Sequence, residues 1–254
     1  MRRGFAIITL GVLAACQPAE PDQTAEAPAE TTAPPPILAN DLLIRHDGPD
    51  LGFRWSAPAD AALEPDLFRA IQADGKQALQ HALDEAKTGQ EEAAKAGFPY
   101  SRYEFDQRWK PEAETPQLLA LSLEGYSYTG GAHGMTAYAT AIWDRKVHTR
   151  LGSWDLFTDR EKAQAALTPV WCEQLDAERA RRRMGAKITG FDDCPPVGEM
   201  VLVPVGYPQI WALKIIAGPY AAGPYAEGAY EISISPPETL LSLVKPEYRD
   251  AFVG

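Results

Sequence analysis

The sequence predicts an α+β protein, with helices packed on antiparallel sheets in two similar-sized parts. Three observations carry this. Apolar residues recur at helical spacing after Pro65 and again after Thr158. Shorter segments between and beyond them alternate apolar with polar residues at period two. The roughly 210 residues after position 40 suffice for one large domain or two small ones with real cores.

Residues 51–55 read as a first strand. Pro65 suits the opening turn of a helix, and Leu67, Phe68, Ile71, Ala78, Leu79, Ala82 and Leu83 form its apolar stripe until Gly97 and Pro99 stop it. Lys76, Asp84, Glu85 and Lys87 fall on the other face, so the helix is amphipathic and lies on something apolar. Residues 101–110 alternate aromatic with polar side chains, through Tyr103 and Phe105. Residues 117–128 send Leu119, Leu121 and Leu123 to one side, and 136–147 form the next strand.

A second part is expected from about residue 151. Thr158-x-x-Glu161 has capping-box form and opens an apolar stripe through Ala163, Leu167, Val170, Trp171 and Leu175. Pro169 predicts a kink, or a restart with Thr168 as cap. The arginines between 179 and 183 suit the C-terminal end of a helix macrodipole. Residues 200–205 and 209–216 read as a hairpin and 230–235 as a further strand. The loop GPYAAGPYAEG, residues 218–228, presents Tyr220 and Tyr225.

The N-terminal residues MRRGFAIITLGVLAAC combine a basic start with an apolar run too short to span a bilayer, the form of a secretory signal. The run closes on Leu13-Ala14-Ala15-Cys16, which resembles a bacterial lipobox, although an ordinary cleavage signal beside an incidental cysteine fits the same residues. The expected organisation is a signal peptide over 1–15, a lipidated Cys16 with a Pro/Ala/Thr/Glu tether over 16–40, then α+β parts over 41–150 and 151–254. Acyl chains on Cys16 would be the membrane attachment. Gln17 in place of an aspartate favours the outer membrane, facing the periplasm, in a Gram-negative host.

Formal charge is −11, and loss of Arg2 and Arg3 with the signal leaves the remainder more acidic. Nucleic acid is a poor partner for such a surface. Cys172 and Cys194 lie in a compartment where disulfides persist; they either pair, closing a loop of about 22 residues, or remain two buried thiols. No metal is expected: the four histidines, His46, His81, His133 and His148, lack zinc-site spacing, and two cysteines alone do not complete a tetrahedral set. Gly130-Gly131-Ala132-His133-Gly134 lacks the Lys-Ser/Thr ending of a phosphate loop, so no cofactor is expected.

Three stretches taken together, YSYTGGAHG at 126–134, LGSWDLF at 151–157 and PYAEGAYEISISPPETL at 224–240, resemble a known family. They look like the paired extracellular domains of the lysozyme-sensing anti-sigma factor of Bacillus and the non-catalytic N-terminal region of some peptidoglycan deacetylases, over roughly residues 51–243. The anti-sigma factors carry a sigma-binding segment and a transmembrane helix ahead of these domains. Neither pattern is present here, so the resemblance implies only the ectodomain's role of recognising an envelope ligand, either a lysozyme-like glycosidase or a peptidoglycan-related glycan. The loops at 126–135 and 219–228 are where that ligand is expected, on Tyr126, Tyr128, His133, Tyr220 and Tyr225, since exposed tyrosines supply contact area at low entropy cost.

His133 admits other readings. As a general base it would serve Ser127 or Ser122, with Asp144 or Asp155 orienting it, making the chain a cell-wall or ester hydrolase. No Gly-x-Ser-x-Gly elbow supports this. As a structural residue its imidazole bonds backbone groups that a glycine corner leaves unpaired, which is the favoured reading and implies no enzyme activity. A structural envelope lipoprotein without a soluble ligand fits the same sequence.

Overall fold

A computed structural model of the chain describes residues 38–253; Cys16, the expected signal and the expected tether through residue 37 lie outside them, and the last residues assigned to the tether instead enter a 3-10 helix at Ala39–Leu42. In chain order the main elements are β1 (Leu43–Asp47), β2 (Leu51–Ser56), a single turn α1 (Ala59–Ala62), α2 (Pro65–Ala96), β3 (Tyr103–Glu114), β4 (Leu118–Tyr128), β5 (Met135–Asp144), β6 (Thr149–Leu151), α3 (Arg160–Arg183), β7 (Val201–Val205), β8 (Ala212–Ala217), β9 (Tyr230–Ile234) and α4 (Glu238–Leu241). Strands β1 to β6 form one sheet in sequence order and β7 to β9 a second. All pairs are antiparallel except β2–β3, which are parallel because α1 and α2 carry the chain back across the sheet between them. The α+β class expected from the sequence is the class observed.

Helix α2 starts with Pro65 in its first turn and ends where Gly97 takes a left-handed conformation at φ +73°. It covers one face of the six-stranded sheet. Leu67, Phe68 and Ile71 pack there with Phe53, Trp55, Leu119, Leu121 and Trp143. Gly75 lets the helix come close, since a Cβ at that position would sit 2.8 Å from the Trp55 ring.

The other face is divided. Its lower half, Ala113, Leu118, Ala120 and Ile142, joins a second core with α3, the three-stranded sheet, Tyr248 and Phe252. The period-two stripe of Leu119, Leu121 and Leu123 therefore tells half the story of β4, because Leu118 and Ala120 are buried on the opposite side. The two sheets meet where Glu114 donates its N–H to the Gly206 carbonyl at 2.9 Å and Gly206 donates to the Glu112 carbonyl at 3.0 Å. Gly206 has φ +152° and no room for a side chain, as a Cβ would lie 2.1 Å from the Gln209 carbonyl oxygen. The half-buried pair Lys214–Glu112, 2.5 Å apart, ties the sheets again, with Ser122 donating to the same carboxylate at 2.6 Å.

Several sequence expectations need correction. Strand β3 runs on to Glu114 through Pro111, with a bulge between Pro111 and Ala113. Strand β5 stops at Asp144 rather than 147, because Asp144 accepts from the N–H groups of Lys146 at 2.8 Å and Val147 at 3.4 Å and turns the chain. Thr158 does not cap α3. Its N–H and hydroxyl both donate to the Leu243 carbonyl, and Asp159 caps instead, accepting from the Lys162 N–H at 3.0 Å. Pro169 does not restart the helix: burial of Leu167 and Trp171 on either side keeps α3 continuous, and the Thr168 hydroxyl donates to the Gln164 carbonyl. Residues 209–211 precede β8 rather than opening it, as Ile210 pairs with the C-terminal segment at Phe252.

Candidate ligand-binding site

The hairpin between β4 and β5 turns through Gly130 and Gly131, at φ +88° and +92°, a conformation that side-chain-bearing residues resist. Tyr128 donates its hydroxyl to the Gly131 carbonyl at 3.3 Å and so braces the turn. Gly134 is buried because the ring of Tyr126 lies over it; a Cβ there would stand 2.4 Å from that ring. His133, between them, points outward.

One ring nitrogen of His133, Nδ1, lies 2.9 Å from the Gly134 carbonyl oxygen, so it carries the proton and donates. Nε2 is then the acceptor, facing the Tyr220 hydroxyl at 3.3 Å. The imidazole stacks on Tyr225 with ring centres 3.8 Å apart and planes at 18°, and Tyr220 lies 5.8 Å from Tyr225. The structure therefore brings together His133, Tyr220 and Tyr225, with Tyr126 next to them through Gly134. Tyr128 turns to its own hairpin and has no ring contact with the others among the described residues. One ring nitrogen is thus engaged by the main chain, as the structural reading describes, and the other by a phenol that reading did not include.

The residues weighed as its catalytic partners have other neighbours. Ser122 bonds Glu112, Asp144 holds the β5 turn and accepts from Gln117, and Asp155 accepts from the Gly152 N–H at 2.8 Å. Ser127 alternates with Tyr126 along β4 and so faces the opposite side of the sheet. Among the described residues, no cluster of three or more His, Cys, Asp or Glu side chains is arranged to hold a metal ion.

What positions the tyrosine loop was not read from the sequence. Tyr220 has φ +69°, a left-handed conformation costly for a bulky residue, and that turn presents its ring to His133. The loop is held from behind by the arginines of α3. Arg179 donates to the Ala222 carbonyl at 2.8 and 3.0 Å, Arg182 to the Glu227 and Ala229 carbonyls at 2.8 and 2.9 Å, and Arg183 grips the Glu227 carboxylate at 2.8 and 2.9 Å. Arg179 and Arg183 are buried, so complementing the helix dipole is the lesser part of their role. The Arg183 bonds hold the Glu227 carboxyl below the usual range, and burial pushes the neighbouring Tyr230 phenol up. The readable signal was the spacing: Arg179, Arg182 and Arg183 at i, i+3 and i+4 share one helix face.

Cys172 and Cys194 are joined by a disulfide, linking α3 to the segment whose carbonyls at Asp192 and Asp193 also accept from Arg179. Beside the ring cluster a groove of about 400 Å³ runs between Thr136 and Tyr138 of β5 and the loop from Pro219 to Ala229, with Tyr225 on its wall. Among the described residues no helix is long and apolar enough to cross a membrane.

Residues 54–136, about a third of the chain, match the family model described as Deacetylase PdaC. The matched stretch runs from β2 to the start of β5 and contains the GGAHG turn. Two crystal structures of DUF3298 family proteins are similar in fold. One, from Pseudomonas aeruginosa PAO1, is 17% identical with a TM-score of 0.50, covering 84% of this chain and 95% of its own. The other, from Bacteroides fragilis NCTC 9343, is 19% identical with a TM-score of 0.53, covering 78% and 85%. At such identities the likeness is one of architecture. No curated protein matches the chain.

Proposed function

We propose that this chain is a lipid-anchored, non-enzymatic protein of the cell envelope whose folded part binds a lysozyme-like protein or a peptidoglycan-related glycan at the corner formed by His133, Tyr220 and Tyr225. The observation that carries the reading is the state of His133, stacked on Tyr225 at 3.8 Å, with Nδ1 bonded to the Gly134 carbonyl, Nε2 to the Tyr220 phenol, and no serine hydroxyl or carboxylate bonded to the ring among the described residues. Support also comes from the pre-formed loop: the arginine clamp spends its ordering cost during folding, which leaves less to lose when a ligand arrives. The lipobox-like Cys16 and the family likeness supply the envelope address.

Calorimetric titration of the purified chain with C-type lysozyme and with peptidoglycan fragments tests this. Binding to one of them, weakened about tenfold or more in Tyr225→Ala, is the expected result. Absence of binding to either overturns it.

The name of the matched family motivates a second reading, deacetylation or hydrolysis of the same envelope polymers with His133 in the site. Incubation with N-acetylated glycan and assay of released acetate or reducing ends separates the two. Product formation lost in His133→Ala would replace the binding reading.

A further inference from the structure

The three-stranded sheet covers only the lower half of the outer face of the six-stranded sheet. The upper half is open, and there β1 to β4 line a groove of about 440 Å³ that contains Arg45, Arg54, Asp106 and Tyr126. A second hollow of about 230 Å³ shares Asp106 and Tyr126 with it and adds Arg108 and Glu124. Tyr126, which lines both hollows, packs its ring against Gly134, the residue next to His133.

The charges in it are paired with one exception. Arg102 binds Asp47 at 2.6 Å and Glu104 at 3.1 Å, Arg108 lies 3.5 Å from Asp106, and Lys110 binds Glu124 at 2.8 Å. Arg45 and Arg54 are both exposed, stand directly opposite each other on β1 and β2, and have no carboxylate within bonding distance among the described residues. Like charges in directly opposed strand positions destabilise a sheet. In a chain of net charge −11, with acids on the next strands, two adjacent unneutralised guanidinium groups are a site waiting for an anion.

We infer that the groove binds an acidic glycan strand, with a carboxylate of the sugar held by Arg45 and Arg54 and a sugar ring stacked on Tyr126. This rests on the binding reading above and names its ligand class. A glycan suits the groove better than a protein would. The groove is open to solvent, its polar groups are already arranged as donor and acceptor pairs that match hydroxyls, and its exposed aromatic is a single flat ring rather than a buried anchor pocket.

The test is calorimetric titration of the full chain with a tetrasaccharide of alternating N-acetylglucosamine and N-acetylmuramic acid, against chitotetraose, which has the same length and no carboxylate. The acidic tetrasaccharide should bind at least tenfold tighter, and its advantage should shrink between 50 and 300 mM salt. Arg45→Gln and Arg54→Gln should each remove about tenfold of its affinity while leaving chitotetraose binding unchanged and the urea midpoint no lower, since each relieves the opposed like charges. Equal affinity for the two sugars, unaltered binding in the arginine variants, or no binding of the acidic sugar overturns the inference. If chitotetraose or lysozyme then still binds and Tyr225→Ala abolishes that binding, the general binding reading stands and only the arginine groove falls.

Discussion

At the scale of single residues, Gly134 shows how a missing side chain places a ring. It needs no left-handed backbone, yet it is buried because Tyr126 occupies the space where its Cβ would be. Gly134→Ala should displace the Tyr126 ring and lower ligand affinity severalfold or more, with a stability loss of about 1 kcal/mol or less because Tyr126 is 42% exposed and can swing outward. Paired binding and urea measurements check this; unchanged affinity would show that Tyr126 is not part of the surface. The corner itself was legible, since three glycines around one histidine announce a turn in which an imidazole can satisfy the main chain. The stacking of His133 on Tyr225 was not, because no local pattern records a contact between side chains so distant in sequence.

Elements were legible where the pattern was periodic. The 32 residues of α2 carry their start at Pro65, their stop at Gly97 and their apolar stripe in the sequence. What the pattern could not say is why a glycine stands at 75 in the middle of a helix, where alanine would be favoured by about 1 kcal/mol. The Trp55 ring is the reason, and Gly75→Ala should destabilise the protein by about 1–3 kcal/mol against that propensity gain, read as a fall in urea midpoint.

In α3 the limits were local competition and long-range demand. Thr158 was drawn off by Leu243, and the arginines were drawn in by the tyrosine loop. Arg181 and Arg182 together hold the Glu178 carboxyl down to about 2. Glu227 is likewise held low by Arg183. A carboxylate depressed in the folded state contributes stability above its unfolded pKa and loses it as pH falls through the folded value. Stability should therefore decline from about pH 4.5 towards pH 2, and Glu178→Gln should flatten part of that decline; Arg181 is exposed, so solvent screens its share and Arg182 carries more of the effect. Urea midpoints at pH 7, 4 and 3 for the two proteins measure it.

Over the whole molecule, the two sheets are joined by backbone bonds at Gly206 and by the half-buried pair Glu112–Lys214. Lys214→Met leaves the Glu112 carboxylate with Ser122 alone and should cost about 1–3 kcal/mol. Combining it with Glu112→Leu should recover much of that loss, because removing both charges removes the desolvation penalty as well. A double variant as unstable as the single one would assign the cost to packing instead. This junction decides the functional surface. By covering only the lower half of the outer face, the second sheet leaves Arg45, Arg54 and Tyr126 open and delivers Tyr220 and Tyr225 to the β4–β5 turn.

The sequence by itself determined the α+β class, the two long helices, the strands other than β1 and β6, and the glycine turn at His133, because each follows from local periodicity or from backbone angles that only certain residues tolerate. Tertiary structure alone decided which loops meet, which of the arginines on α3 are buried, and that Arg45 and Arg54 face each other without a counter-ion among the described residues. Those facts depend on strand register and on how one sheet sits against another, and neither is encoded in any short stretch of chain.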